Sequence, residues 1–270
     1  MKGYPYWGEA LHGIARANMA ATDDHYALNT YTYTDTLGNR IQPLSTVATD
    51  GLATDFPNGL SLASSWDRDL VKRATTAISD EARAYLNIRH KGLTYWSPTV
   101  NLDRDPRWGR ADESYGEDPY LTGEIGGAFV TGLQGNDPKY LKAIATPKHF
   151  YANNSEINRH VGSSNVSERE TREYYTAQFA PLLGKYGAKS LMSSYNAVNG
   201  VPSSANEFAL ETLARRTWGF DGFVTSDCSA IKDINWGFDY TVDGQHEVAT
   251  ALKAGTDIDC TSSLPNSLTY

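Results

Sequence analysis

The residue whose position most clearly suggests chemistry is Asp227. It ends a short segment, residues 222–226, whose Phe, Val and Thr side chains are typical of a buried strand. No turn or cap signal in that segment explains a carboxylate at this place. An aspartate at a strand end serves as a nucleophile, as a metal ligand or as a structural cap, and the residue alone does not separate these roles.

A set of cationic side chains follows other predicted strands, and these side chains would surround a shared carboxylate if the strand ends meet. The set consists of Arg110, Lys148, His149 and Arg159. Such a cluster keeps a carboxylate ionised and donates hydrogen bonds to several hydroxyl groups. Apart from Glu9, no second Asp or Glu has the strand-end position expected of a general acid.

Metal chemistry is disfavoured by the spacing of the possible ligands. The histidines form no His-x-His or His-Glu-x-x-His arrangement, and the only cysteines, Cys228 and Cys260, lack the spacing of a zinc site. We therefore expect no metal and no cofactor. The two cysteines each follow a predicted strand, and they are either a disulfide across neighbouring strand ends or two buried thiols.

Composition limits the classes of partner. The chain has 270 residues, of which 40% are hydrophobic and 21% charged, as in a globular domain. A net charge of −8 and the absence of any Lys/Arg run argue against nucleic acid and anionic membranes, and favour a neutral or cationic small ligand. No apolar run is long enough for a membrane span, and no signal-peptide core is present in this stretch, so the compartment is left open.

The elements that must position these residues alternate between strand and helix. Capping signals predict a helix that starts at Ser65 or Asp67 and runs to residue 91, and helices over residues 118–135 and 206–219. A capping box opens another helix at Ser167, which Pro181 is expected to kink or end, and a further helix surrounds residues 246–254. Strands are predicted at residues 93–100, 142–147, 188–194, 222–226 and 256–259, and a polar insertion or small hairpin near residues 21–50. This alternation indicates parallel βα units, either in an open doubly wound sheet or in a (β/α)8 barrel. We prefer the barrel, in an incomplete form, because suggestive residues follow several different strands and a barrel brings all those ends to one mouth.

Five motifs in chain order make the sequence resemble a known family. They are Trp-Gly-Glu-Ala-Leu-His-Gly, Asp-Pro-Arg-Trp-Gly-Arg with Glu-Ser-Tyr-Gly-Glu-Asp-Pro, Lys-His-Phe, Met-Ser-Ser-Tyr-Asn-Ala-Val-Asn-Gly-Val-Pro, and Gly-Phe-Val-Thr-Ser-Asp-Cys. Together they resemble glycoside hydrolase family 3 over nearly the whole chain, apart from residues 15–48. The resemblance implies a retaining exo-glycosidase with an N-terminal TIM-barrel-like domain, followed by an α/β sandwich domain.

The resemblance also assigns roles to single residues. Asp227 matches the nucleophile that forms a covalent glycosyl-enzyme intermediate. Arg110, Lys148 and His149 match residues that hydrogen-bond the sugar hydroxyls at the cleaved bond. The remaining matches flank the nucleophile: Arg159 near the 2-hydroxyl side of the sugar, Met192, and Tyr195, which is placed to hydrogen-bond Asp227.

Glu9 departs from the pattern of many β-glucosidases in the family, which have an aspartate there. Together with Ser-Asp-Cys in place of Ser-Asp-Trp, it resembles the β-xylosidase and α-L-arabinofuranosidase branch. A longer carboxylate reaches into the place of a glucose hydroxymethyl group, which favours a pentose. The expected substrate is therefore a small carbohydrate with a terminal β-linked xylose. A β-glucosidase, an α-L-arabinofuranosidase and a non-catalytic sugar-binding module are the alternatives.

Nothing in residues 1–270 matches the family's acid/base residue. We therefore expect the chain to be a partial N-terminal domain that lacks the α/β sandwich domain, whose segment supplies the acid/base.

Overall fold

The computed structural model describes Tyr4 and residues 6–15, 33–34, 40–41, 53–89 and 92–260. The α-helices are α1 (Gly59–Ser64), α2 (Arg68–Arg89), α3 (Pro119–Gln134), α4 (Glu168–Glu170), α5 (Phe179–Gly184), α6 (Ala230–Trp236) and α7 (Gly244–Ala254). The strands are β1 (Tyr33–Thr34), β2 (Arg40–Ile41), β3 (Thr94–Tyr95), β4 (Ile144–Ala145), β5 (Ser163–Ser164), β6 (Ser190–Ser193), β7 (Ala197–Val198), β8 (Val201–Pro202) and β9 (Phe223–Ser226). π-type helices span Thr171–Tyr175 and Phe208–Thr217.

The parallel strands lie side by side in the order of the chain. β3 pairs with β4. Two single bridges extend this row, one between Thr99 and Lys148 and one between Phe150 and Ser193. β6 then pairs with β9 in register, and a bridge joins Thr225 to Ile258. Each strand of this row therefore neighbours the strand that follows it in the row along the chain, as in a (β/α)8 barrel. β5, β7 and β8 form a separate three-stranded sheet. The predicted α/β, TIM-barrel-like and incomplete fold is confirmed, since the described residues form this row without closing it.

Three helices begin at side chains predicted as caps, and of the two candidates for α2, Ser65 and Asp67, the cap is Asp67. Asp67 accepts a hydrogen bond from the Leu70 backbone N–H at 2.9 Å at the start of α2, and Asp118 caps α3 in the same way. Ser167 forms the predicted capping box with Glu170. These caps satisfy backbone donors that the first turn of a helix leaves unpaired, each typically contributing about 1 kcal/mol.

Two local predictions differ from the structure. The ladder of β3 covers two residues because the next two N–H groups bind elsewhere: the Trp96 N–H donates to the Gly8 carbonyl and the Ser97 N–H to the Tyr95 carbonyl. Pairing resumes when the Val100 N–H donates to the Lys148 carbonyl at 2.7 Å. Pro181 does not end the helix that starts at Ser167. The helix breaks before it, and Pro181 lies in the first turn of α5, where a missing N–H costs no helical bond.

Alternate residues of the strands face two different environments. Leu191 and Val224 belong to the hydrophobic cluster shared with Phe129, Leu182 and other side chains of the surrounding helices. Because strand side chains alternate, Met192, Thr225 and Asp227 share the opposite face, towards the inside of the row. The inner face therefore carries the nucleophile candidate, while the outer face anchors the helices.

The predicted polar insertion near residues 21–50 is described only at β1 and β2, which pair antiparallel, and its other residues lie outside the described part of the chain. α1 and α6 were not predicted. Within the described ranges, no helix has both the length and the apolar character needed to cross a membrane.

Candidate active site

Asp227 follows the last residue of β9 and is buried. Its backbone N–H donates to the Ser193 carbonyl at 3.2 Å, which continues the pairing of β9 with β6. Its Oδ1 accepts from the Cys228 backbone N–H at 2.8 Å. Its Oδ2 is buried and has no hydrogen-bond partner among the described residues. Leaving a buried carboxylate oxygen unpaired is costly, and a bound ligand would offset that cost.

Burial raises the pKa of the Asp227 carboxyl, because a low-dielectric surrounding disfavours its charged form. The positive charge of Lys148 is the largest effect in the opposite direction, and Arg110 also lowers the pKa. Lys148 and Arg110, two of the four residues in the predicted cationic cluster, therefore favour the ionised form of Asp227, while burial favours the neutral form.

Tyr195 reaches this carboxylate from the turn after β6, and Met192 lies in β6 itself. Met192 pairs in register with Thr225, so its fully buried side chain lies one layer below Asp227 on the same face. Tyr195 interacts with Asp227 and lowers the pKa of that carboxyl, while burial raises the pKa of the tyrosine itself.

His149 lies beside the nucleophile candidate in a single tautomer. Its Nε2 is 3.6 Å from Asp227 Oδ2. Asn101 donates its amide N–H to the Asn153 carbonyl, so its Oδ1 faces His149 and accepts from both the backbone N–H at 2.8 Å and Nδ1 at 2.9 Å. Burial, followed by the charge of Arg110, holds the pKa of His149 well below its usual range. A neutral ring with a protonated Nδ1 leaves Nε2 as a hydrogen-bond acceptor.

Lys148 and Glu9 form an ion pair across the rim. The Lys148 Nζ lies 2.9 Å from Glu9 Oε2, and the lysine side chain is only 4% exposed. Glu9 reaches this position because the segment before it packs against β3, where the Trp96 N–H donates to the Gly8 carbonyl at 2.7 Å. A Cβ at position 8 would lie 2.8 Å from the Thr94 carbonyl oxygen, so glycine permits this close approach.

Arg110 is held by a two-pronged contact with Glu113. Its Nε and Nη2 donate to the two carboxylate oxygens at 2.7 and 2.8 Å. The neighbouring Arg107 is 88% exposed and pairs with Asp105 instead. Of the two arginines in the Arg-Trp-Gly-Arg motif, one therefore belongs to a surface turn and the other to a partly buried ion-pair network.

Arg159 stacks on the ring of Tyr195, with its guanidinium carbon 4.4 Å from the ring centroid. Its Nη1 donates to Glu156 Oε2 at 2.8 Å, and Glu156 Oε1 in turn accepts from the Trp108 indole N–H at 3.0 Å. The arginine is therefore fixed next to the residue that interacts with Asp227.

A cavity of about 360 Å³ opens beside this cluster. Glu9, Arg110 and Lys148 line it together with Glu113, Asp55 and the segment around His12 and Ile14, whereas Asp227 is not among its lining residues. Its mixed polar and apolar walls and its volume suit one small ligand.

Cys228 and Cys260 form a disulfide, which decides between the two alternatives left open by the sequence. Cys228 directly follows Asp227, and Cys260 lies two residues after Ile258, which bridges to Thr225 of β9. The disulfide therefore ties two strand ends together at the mouth.

The residues that bind and orient the predicted site side chains were not predicted from the sequence. Glu113 and Glu156 each lie three residues from the arginine they bind, and a Glu and an Arg at this spacing can be recognised in the sequence as a possible ion pair. Asn101 and the His160–Asp233 pair gave no such signal. In the part of the chain that the structure describes, no group of three or more His, Cys, Asp or Glu residues is arranged to hold a metal ion.

A family model and named relatives both match this chain. The family description "Glycosyl hydrolase family 3 N terminal domain" matches residues 12–267. A probable exo-1,4-beta-xylosidase of Aspergillus flavus is 38% identical over 276 residues, covering 99% of this chain and 33% of that protein. An exo-1,4-beta-xylosidase of Emericella nidulans is 36% identical, again over 99% of this chain and 33% of the relative. The chain thus spans about a third of the length of these curated relatives.

Solved structures give the same fold. An exo-beta-xylosidase of this family, in complex with a xylobiose aziridine activity-based probe, has a TM-score of 0.80 at 34% identity, covering 95% of this chain and 31% of that one. Beta-glucosidase 3B from Thermotoga neapolitana, in complex with glycerol, has a TM-score of 0.69 at 32% identity, covering 94% of this chain and 29% of that one.

Proposed function

Because the chain belongs to glycosyl hydrolase family 3, we propose that the protein carrying it is a retaining exo-glycosidase that releases terminal β-D-xylose. The observation that carries this proposal is the Asp227 carboxylate. It lies at a strand end among cations, and its buried Oδ2 has no hydrogen-bond partner in the described ranges. This is the environment that a nucleophilic carboxylate needs, because it must be ionised and yet weakly solvated.

The reaction follows from this placement. Asp227 Oδ2 bonds to the anomeric carbon while the bond from that carbon to the leaving oxygen breaks, and the electron pair stays on that oxygen, which takes a proton from an acid. Water then attacks the same carbon, loses a proton to the conjugate base and releases the Asp227 carboxylate. Two inversions give a product that retains the β configuration.

The surrounding residues hold the sugar in this proposal. Lys148 and Arg110 donate to its hydroxyl groups, and His149 Nε2 accepts from one of them because its Nδ1 proton is committed to Asn101. Tyr195 and Arg159 steady the nucleophile side. Asp227 is the catalytic residue, and Met192 forms the floor beneath it.

Xylose is favoured over glucose for two reasons. The curated relatives compared above are named as xylosidases. Glu9 lines the cavity and is fixed there by Lys148, so its carboxylate occupies space that a hydroxymethyl group would need. A β-glucosidase is the second candidate, because a solved relative at 32% identity carries that name. No observation favours an α-L-arabinofuranosidase or a non-catalytic module.

The general acid is proposed to lie outside residues 1–270, in a segment corresponding to the two thirds of the relatives that this chain does not span. General acid catalysis contributes about 10² to 10⁴-fold, so the chain should cleave a dinitrophenyl xyloside far faster than xylobiose. Equal turnover of the two would refute this assignment.

The proposal as a whole is tested by trapping. A 2-deoxy-2-fluoro xyloside with a dinitrophenyl leaving group should leave one covalent sugar on the peptide that contains Asp227, as detected by mass spectrometry. The matched Asp227→Asn chain should take no label. Label on another residue, or none on a folded wild-type chain, would refute the proposed nucleophile.

A further inference from the structure

His160 and Asp233 form a pair that the reaction described above does not use. The His160 Nδ1 lies 2.7 Å from Asp233 Oδ2, and the aspartate side chain is only 3% exposed. His160 Nε2 accepts from Arg159 Nε at 3.3 Å. Since an arginine N–H always donates, Nε2 is the acceptor, and the ring proton lies on Nδ1, facing Asp233. The pair therefore holds His160 in one tautomer and one orientation.

This pair touches the group that contacts the nucleophile. The His160 ring meets the Tyr195 ring edge-on, with 4.5 Å between centroids. Arg159, bound by His160, stacks on the same tyrosine at 4.4 Å. Tyr195 itself interacts with Asp227. A continuous set of contacts thus runs from Asp233 through His160 and Tyr195 to the proposed nucleophile.

Asp233 of this pair lies on α6, the helix that follows the proposed nucleophile. α6 starts three residues after Asp227, where the Ala230 N–H donates to the Asp227 carbonyl at 3.0 Å. Asp233 lies one turn along α6, and at its end Gly237 lies so close to the His160 carbonyl that a Cβ there would collide with it. α6 therefore fixes the backbone of Asp227 at one end and the side chain and backbone of His160 along its length.

From these contacts we propose that His160 and Asp233 are positioning residues for the nucleophile. They hold Tyr195 and Arg159 in the arrangement from which Asp227 attacks. This inference rests on the proposed function. A small displacement of a catalytic group slows the chemical step strongly, by up to about 100-fold for 1 Å, even when ligand binding is preserved. A purely structural pair would affect only the fraction of folded protein.

Two near-isosteric variants separate the two contacts of His160. His160→Asn keeps a donor for Asp233 and loses the acceptor for Arg159, whereas His160→Gln does the reverse. The control is His246→Asn, which makes the same exchange at a histidine whose Nδ1 lies 2.7 Å from Asp243 on the exposed surface of α7. For the full 270-residue chain and each variant, labelling by the dinitrophenyl 2-deoxy-2-fluoro xyloside is followed over time at several concentrations. This gives a first-order rate constant, a dissociation constant and the fraction labelled.

We expect both His160 variants to lower the first-order rate constant about 10 to 100-fold, with little change in the dissociation constant. His246→Asn should label at the wild-type rate. If the His160 variants fold poorly, the isosteric Asp233→Asn gives the same test, since the labelled fraction corrects for unfolded protein.

Wild-type rate constants in the folded fraction of these variants would overturn the positioning role and leave the proposed function standing. A folded wild-type chain that takes no label would instead remove the proposed function, and the inference with it.

Discussion

Glu9 offers the sharpest prediction about sugar choice, through the substitution Glu9→Asp. Removing one methylene withdraws the carboxylate by one C–C bond of about 1.5 Å. In the structure Glu9 Oε2 lies 2.9 Å from Lys148 Nζ. The change therefore opens space in the cavity beside the sugar subsite and weakens an ion pair at the same time. The first effect alters specificity, and the second alters stability.

The two effects have different sizes. With an effective dielectric of about 20, unit charges 2.9 Å apart attract by ~6 kcal/mol, and at about 4.4 Å by ~4 kcal/mol. Because the Glu9 side chain is 26% exposed, we reduce this difference to about 1 kcal/mol of stability. Accommodating one extra group is worth about 1 to 3 kcal/mol, so the preference for xyloside over glucoside should fall by roughly 5 to 150-fold.

The assay compares kcat/KM for dinitrophenyl β-D-xyloside and β-D-glucoside, whose leaving group needs no protonation. Glu9→Gln is the matched control, since it keeps the length of the side chain and removes its charge. Glu9→Asp should narrow the ratio of the two constants, whereas Glu9→Gln should lower both and leave the ratio near the wild-type value. An unchanged ratio in Glu9→Asp, or an equal change in Glu9→Gln, would refute the steric explanation.

Three further predictions follow from charges and bonds near the site. Lys148→Met removes the largest charge that lowers the pKa of Asp227, so the acid limb of the labelling rate should move to higher pH, and a limb that stays in place would contradict this. Burial raises the pKa of Glu247 from 4.5 to about 7. Between these pH values the folded state keeps a proton that the unfolded state has released, so the free energy of unfolding should fall as pH rises. Glu247→Gln should flatten this fall in a series of thermal unfolding curves, and an equal slope in both proteins would argue against it. Cys228→Ser with Cys260→Ser should cost about 3 to 4 kcal/mol of unfolding free energy for a separation of 32 residues, and the unreduced, denatured wild-type chain should show no reactive thiol.

Local signals in the sequence were sufficient for the starts of α2, α3 and α4. The caps at Asp67, Asp118 and Ser167 act on backbone groups within four residues, so the sequence alone contains both partners. The row of parallel strands followed from alternation of elements, and the shared mouth followed from barrel geometry. For these reasons the fold and the grouping of the cations around Asp227 were predictable.

The residues that orient the site were not predictable in the same way. His160 and Asp233 are 73 residues apart, and Asn101 is 48 residues from His149, so only the folded chain brings them together. Ser229, the residue before α6, has a left-handed conformation and its side chain makes no cap, so the sequence carries no start signal for this helix. Tertiary contacts thus determine the finer geometry, on which the positioning role of His160 depends.

The central claim is that Asp227 is the nucleophile, and chemical rescue tests it most directly. Asp227→Ala should lose activity on dinitrophenyl β-D-xyloside, and azide should restore turnover by attacking the anomeric carbon from the side that the carboxylate left. The product should then be α-xylosyl azide, identified by NMR. Formation of β-xylosyl azide, or no rescue in a folded variant that still binds xylose, would contradict the claim.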